Sequence, residues 1–156
     1  MNIRLAHHSH AEAIAELSRT QIEYGLSWSW TADRVERAIR DPETNVIIAT
    51  EDENLNSVLQ GFGIMRYRDD SAHLMLLAVA PQARRQGVGT ALLHWLQQVA
   101  HSAGITRLSL EVREDNTGGI AFYQRHGYHQ VRTVAGMYQG LVNGVRLERV
   151  TSIALP

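Results

Sequence analysis

The segment Leu77 to Leu93 (LAVAPQARRQGVGTALL) constrains this chain most, because an apolar strand runs into an Arg/Gly-rich turn that opens an amphipathic helix. Gly87 and Gly89 remove Cβ atoms where the backbone turns tightly. Several N–H groups can then converge at the positive end of the helix dipole. Arg84 and Arg85 add fixed positive charge beside them. This is the construction of an anion-binding site, with a strand before the turn and a helix after it.

Two familiar phosphate loops do not fit. A P-loop needs Lys-Ser/Thr after its second glycine, and the chain has no lysine: all fifteen of its basic residues are arginine. A dinucleotide fingerprint needs three glycines after the first strand of a βαβ unit, whereas Arg84-x-x-Gly87-x-Gly89 has two and lies in mid-chain. Further on, Leu108 to Arg113 alternates apolar and polar residues as a half-buried strand does. Asp115, Asn116 and Thr117 then supply capping residues for a short helix carrying Ile120, Ala121, Phe122 and Tyr123 and ending at Gly127.

Arg84-x-x-Gly87-x-Gly89 resembles the acyl-CoA pyrophosphate loop of the GCN5-related N-acetyltransferase (GNAT) superfamily. Leu110 to Tyr128 (LEVREDNTGGIAFYQRHGY) is similar to that superfamily's second motif, LEVxxxNxxAxxLYxxxGF. The two stand in the family's order, about 20 residues apart. The close resemblance covers Ala72 to Tyr128, and is nearest to the ribosomal-protein alanine N-acetyltransferase-like branch. It implies an α/β (α+β) fold with a mixed, mostly antiparallel sheet of about seven strands and four helices. The expected order is βααβββαβαββ, splayed between strands 4 and 5, in one domain over residues 1–156.

The elements can be placed on the sequence. Asn2 to Leu5 is a first strand, and Ser9-x-x-Glu12 is expected as the capping box of a helix burying Ile14, Leu17 and Ile22. Gly25 ends or loosens that helix. Thr31 caps a second helix with Val35, Ala38 and Ile39, stopped at Asp41-Pro42. Strands follow over Val46 to Thr50, Val58 to Tyr67 and Ala72 to Val79. The helix from Val88 carries Ala91, Leu92, Trp95, Leu96, Val99 and Ala103 on one face. Two last strands, Tyr128 to Val134 and Arg146 to Leu155, are joined by a Gly-rich connection.

The resemblance also implies roles. Acetyl-CoA is the expected co-substrate. Its pantetheine arm pairs with strand 4 at Leu77, Ala78 and Val79, and its pyrophosphate sits on Arg84, Arg85, Gln86, Gly87, Val88, Gly89 and Thr90. Asn116 is expected near the pantetheine amide, or as a helix cap. Tyr123 matches the tyrosine whose hydroxyl faces the CoA sulfur, although packing beside Phe122 would also account for it. Glu111 is the candidate base, and pairing with an arginine on the sheet is its structural alternative. His73 stands where relatives often carry a glutamate, and is either a second base or a half-buried polar contact. Leu76 replaces an asparagine frequent in the alanine-acetylating branch, which loosens any transfer of that branch's peptide substrate.

The acceptor that the resemblance implies is a primary amine, on a small molecule or on a peptide or protein. Its choice is expected to lie in Tyr24 to Trp30, whose two tryptophans either wall a site or pack into the core, and in the loop between strands 6 and 7. A catalytically silent acyl-CoA binding module is the alternative to an enzyme; it needs the phosphate loop and strand 4 but not Glu111 or Tyr123. His7, His8 and His10 stand at mixed spacing without cysteine or a carboxylate pair, so no metal is expected. With a net charge of −1 there is no bulk electrostatic case for nucleic acid or anionic membrane. The absence of cysteine excludes disulfides and cysteine chemistry. The N-terminus shows no apolar signal core, and the apolar run from Leu74 to Pro81 is too short to span a bilayer. A cytoplasmic protein is the default expectation, and a homodimer stays open.

Overall fold

A computed structural model describes residues 1–151. Seven strands form one sheet in the order β1-β2-β3-β4-β5-β7-β6, antiparallel except where β4 meets β5. In chain order these are β1 (Asn2–Leu5), α1 (Ala11–Gln21), α2 (Ala32–Arg40), β2 (Thr44–Thr50), β3 (Gly61–Arg68), β4 (Ser71–Val79), α3 (Val88–Ser102), β5 (Arg107–Arg113), α4 (Thr117–Arg125), β6 (His129–Tyr138) and β7 (Val142–Val150). The expected order βααβββαβαββ is the one observed. Both faces of the central strands are covered. Ile47, Met65, Leu74 and Leu110 pack with Leu92, Leu93 and Leu96 of α3, while Val46, Ile48, Phe62 and Ile64 pack with Ile14 and Val35 of α1 and α2. Coverage on both sides explains why β2 and the start of β3 read as continuous apolar runs.

Strand β4 creates the site. Its burial alternates regularly from Ser71 to Val79, yet its pairing with β3 slips between Ile64 and Met65, so that Ile64 faces Leu76 and Met65 faces Leu74. The extra residue re-phases the side chains. Ala72 and Leu74 belong to the α3 core, whereas Leu76 and Ala78 belong to the α1/α2 core. The bend also separates β4 from β5. The two strands pair only from Ser71↔Arg107 to Leu74↔Leu110, leaving the β5-facing edge of Met75 to Val79 without a strand partner among the described residues. The expected splay is present.

Three local expectations need correction. The capping box at the start of the first helical segment is made by His7 and His10, not Ser9 and Glu12: the Ser9 N–H donates to His7 Nδ1 (3.2 Å) and the His7 N–H to His10 Nδ1 (2.9 Å), around a single 3-10 turn before α1. An imidazole nitrogen can accept as a serine oxygen does, so the histidine cluster serves as a cap. On α3, Leu93 and Ala100 are buried, while Ala103 is exposed and Val99 partly so. The last two strands are closer than expected: β6 runs on to Tyr138, β7 begins at Val142, and a tight turn with left-handed Gln139 and Gly140 joins them. Strand β7 ends at Val150, and the remainder of the expected strand, residues 152–155, lies outside the described residues.

Candidate active site

The strand–turn–helix unit folds as its residues require. Pro81 to Ala83 makes one 3-10 turn, Arg85 and Gly87 are both left-handed (φ 64° and 78°), and α3 begins at Val88. Among the described residues no side chain caps α3. The N–H groups of Val88, Gly89 and Thr90 therefore keep the unpaired, partly positive character of a helix start. The Val88 side chain itself is buried in the core, so only its backbone is available. Arg84 is exposed and donates to Gln21 of α1.

A cleft follows the gap between β4 and β5. Leu77, Ala78, Val79, Arg84, Glu111, Asn116 and Tyr123 line it, together with Ile22 and Tyr138. Arg85, Gln86, Gly87, Val88, Gly89 and Thr90 form the turn at its end rather than its walls. Asn116 accepts the Gly119 N–H at 2.9 Å as the N-cap of α4, the alternative foreseen for it. Tyr123 is buried from α4, with its ring 5.1 Å from that of Phe122 and 5.7 Å from that of Tyr128. Burial pushes its phenol well above the ordinary value, so the hydroxyl stays protonated throughout the neutral range.

Running across the strands beside the cleft is a polar row set by register: Arg66 faces His73, His73 faces Ser109, and Ser109 faces Glu148. Within it, His73 Nε2 lies 2.6 Å from Glu111 Oε2, and His73 Nδ1 lies 2.7 Å from the Ser109 hydroxyl. Arg146 donates to Glu111 (2.9 Å) and Glu148 (3.0 Å). Burial raises the Glu111 carboxyl, but the hydrogen bond and charge of His73 and the charge of Arg146 outweigh it and hold the group below the usual carboxylate range. Glu111 therefore makes the arginine pairing named as its structural alternative, and it also meets His73, the second candidate base. With Glu111 ionised, Nε2 of His73 carries a proton, since a bare lone pair would face the carboxylate.

A second cavity opens on the other side of Glu111, between the α1–α2 connection and the β6–β7 turn. Glu111, Ile22, Met75, Leu76 and Tyr138 border both spaces, whereas His73, Glu23 and Trp30 border only the second. Long-range contacts hold its walls. The buried Glu23 carboxylate accepts from the Ser18 hydroxyl (3.0 Å), the Ser29 N–H (2.7 Å) and hydroxyl (2.6 Å), and the Trp30 N–H (3.2 Å). Buried Arg113 donates to the Ile22 and Tyr24 carbonyls (3.2 and 2.6 Å), forks onto Asp115, and lies 3.8 Å under the Tyr24 ring. Ser27 and Gln139 exchange two bonds of 2.9 and 2.7 Å across the mouth. Burial, with the Glu111 charge nearby, pushes Tyr138 up to about 12. Trp30 belongs to this wall, while Trp28 stays exposed.

Residue reading alone missed Ser109, Arg146, Glu148, Glu23, Arg113 and Tyr138. The period of β5 placed Ser109 and Arg113 on the Glu111 face, but their partners come from other elements. Ser18 and Ser29 flanking Glu23 are the one local signal, a carboxylate between hydroxyls at loop spacing.

Residues 11–128 match the family described as the Acetyltransferase (GNAT) family. The [ribosomal protein bS18]-alanine N-acetyltransferase of Escherichia coli K12 is 35% identical over 101 residues, an alignment that spans 65% of this chain and 66% of that protein. Ard1 from Thermoplasma volcanium superposes with a TM-score of 0.83 over 97% of each chain at 22% identity. The ribosomal-protein-S18-alanine N-acetyltransferase structure from Escherichia coli does so with 0.79 over 99% of this chain and 96% of that one, at 24% identity. The family match takes in the uncapped turn, Glu111 and every residue lining the cleft except Tyr138, and this chain belongs to the acetyltransferase (GNAT) family.

Proposed function

We propose that this acetyltransferase moves the acetyl group of acetyl-CoA to the α-amino group of a peptide, by direct attack with donor and acceptor bound together. The observation that carries the reading is the position of Glu111. Its carboxylate borders the cleft of the donor motif and the second cavity alike, so a donor in one and an amine in the other meet beside it.

The residues fit acetyl-CoA. The unpaired edge from Leu77 to Val79 offers backbone groups to an extended amide-bearing arm, as a sheet edge does to an added strand. The open N–H groups of Val88, Gly89 and Thr90, with Arg84 nearby, suit a pyrophosphate. When bound, the co-substrate supplies an activated acyl group on sulfur. The amine nitrogen bonds to the acyl carbon, the carbon–sulfur bond breaks, and the amine gives up a proton.

Glu111 receives that proton, directly or through a water. A carboxylate held low is a weak base, and this selects the acceptor. An α-amino group with a pKa of about 7.8 is already partly neutral near pH 7.5, whereas a lysine amine of about 10.4 is neutral about one time in a thousand, a deficit of about 4 kcal/mol. The site suits the first. His73, donating from Nε2 and backed by Ser109, fixes the carboxylate and stabilises its ionised form. Tyr123 acts on the leaving side. A phenol raised by burial would transfer its proton to a thiolate of pKa about 8.5 only uphill. Its role is therefore to donate a hydrogen bond to the developing thiolate, and solvent completes the protonation. Tyr123→Phe is expected to lower kcat about 10- to 100-fold with little change in acetyl-CoA affinity, in line with loss of one charge-directed donor; steady-state kinetics beside direct binding would check this.

The relative named for ribosomal-protein alanine acetylation supports an N-terminal acceptor. The assignment is tested by acetyl-CoA-dependent thiol release with two peptides, one with a free α-amine and no lysine, the other N-terminally blocked and carrying one lysine. Release with the first at least tenfold faster is expected. Equal rates would overturn the α-amino assignment, and saturable acetyl-CoA binding without release from either would leave only a binding module. Since Glu111 is ionised across the neutral range, the acid limb of kcat/KM should follow the acceptor amine, moving when the N-terminal residue of the peptide is changed.

A further inference from the structure

Beyond the acceptor cavity the same sheet face opens into a third space, which shares Trp30 and Met75 with it and is lined by Arg34, Arg37 and Arg66. Arg34 and Arg37 stand one turn apart on α2, and Arg66 is the β3 residue directly opposite His73. Among the described residues none of the three forms an ion pair or donates a side-chain hydrogen bond. The Arg34 guanidinium lies 3.8 Å over the Trp30 ring. Stacking of this kind fixes the plane of the fork and leaves its edge N–H groups free for a carboxylate. The acid in this space, Asp41, is already engaged by the Glu43 N–H (3.0 Å) and the Thr44 hydroxyl (2.9 Å). Three guanidiniums against one carboxylate leave two positive charges locally, on a chain whose net charge is −1.

Resting on the acceptor reading above, we infer that this space is a carboxylate-binding subsite, and that the enzyme prefers peptides carrying Asp or Glu just after the acetylated residue. Glu111, His73 and Arg66 lie on three successive strands. At about 4.8 Å per strand, with Glu111 two residues along β5 from the level of His73, that is roughly 12 Å from proton acceptor to arginine, about three to four residues of extended chain. Acidic side chains at the second to fourth positions of the acceptor fall there.

The test compares kcat/KM for three peptides with the same free N-terminal residue and with Asp/Glu, Asn/Gln or Arg at positions two to four. The acidic peptide is expected to exceed the amide peptide at least tenfold at low salt, with the Arg peptide slowest and the spread narrowing as salt rises. In the doubly substituted Arg37→Gln/Arg66→Gln protein the acidic peptide should fall to the rate of the amide peptide, while the amide peptide is unchanged. Turnover of the amide peptide establishes the acceptor reading independently; given that, equal rates for acidic and amide peptides overturn the subsite. No turnover of any of the three overturns the acceptor reading and the subsite with it.

Discussion

Glu111→Gln is expected to lower kcat/KM by about a hundred- to a thousandfold at pH 7.5, the range for loss of a positioned proton acceptor, while acetyl-CoA affinity stays within about twofold. The amide keeps the volume of the carboxylate and can still accept from Arg146, so the sheet pairing of β5 with β7 survives. What it loses is basicity and the charge beside His73 Nε2. Without that charge, Nε2 of His73 need no longer carry a proton. The deficit should shrink as pH rises above the acceptor pKa, because a neutral amine needs less help. A variant with wild-type turnover would leave Glu111 with only its structural pairing to Arg146.

Gly89→Asp should raise the dissociation constant for CoA at least a hundredfold, about 2.7 kcal/mol, without loss of stability. A Cβ at Gly89 meets Val79 Cγ2 at 3.4 Å and the Phe122 ring at 3.5 Å, both ordinary contacts, so the fold admits the side chain. An acidic residue in the first turn of α3 even favours the helix dipole. The same carboxylate sits where the pyrophosphate would take the free N–H groups, and replaces charge-assisted bonds worth about 1.5 to 3 kcal/mol each with repulsion. Tm at or above the wild-type value together with lost CoA binding is the expected pair of readings. Retained binding would move the phosphate site away from this turn.

Much of this site was legible because its parts are local. The turn from Ala80 to Thr90, the cap at Asn116, and the period-two strand carrying Glu111 are each set by residues within a few positions of one another. Element order followed from the same signals. The β4 bulge was not legible, since Leu74 to Val79 is an unbroken apolar run with no period to interrupt, and the slip shows only in which core each residue joins. His73 and Glu111 could be named separately, but their contact depends on parallel pairing of strands 36 residues apart. The burial of Arg113 has the same origin: it projects from the polar face of β5, and the α1–α2 connection then folds over it, some 90 residues earlier in the chain. At the N-terminus a strong local pattern misled, because histidine nitrogens took the capping positions offered by Ser9 and Glu12.

The most direct test of two cavities meeting at Glu111 is the affinity of a bisubstrate compound, CoA joined through an acetyl bridge to the N-terminal nitrogen of an acidic peptide, against CoA alone. Binding at least a hundredfold tighter than CoA, displaced by either substrate, is the expected result, since one molecule would fill both spaces without a second association cost. Affinity no better than that of CoA would contradict a shared site for donor and acceptor.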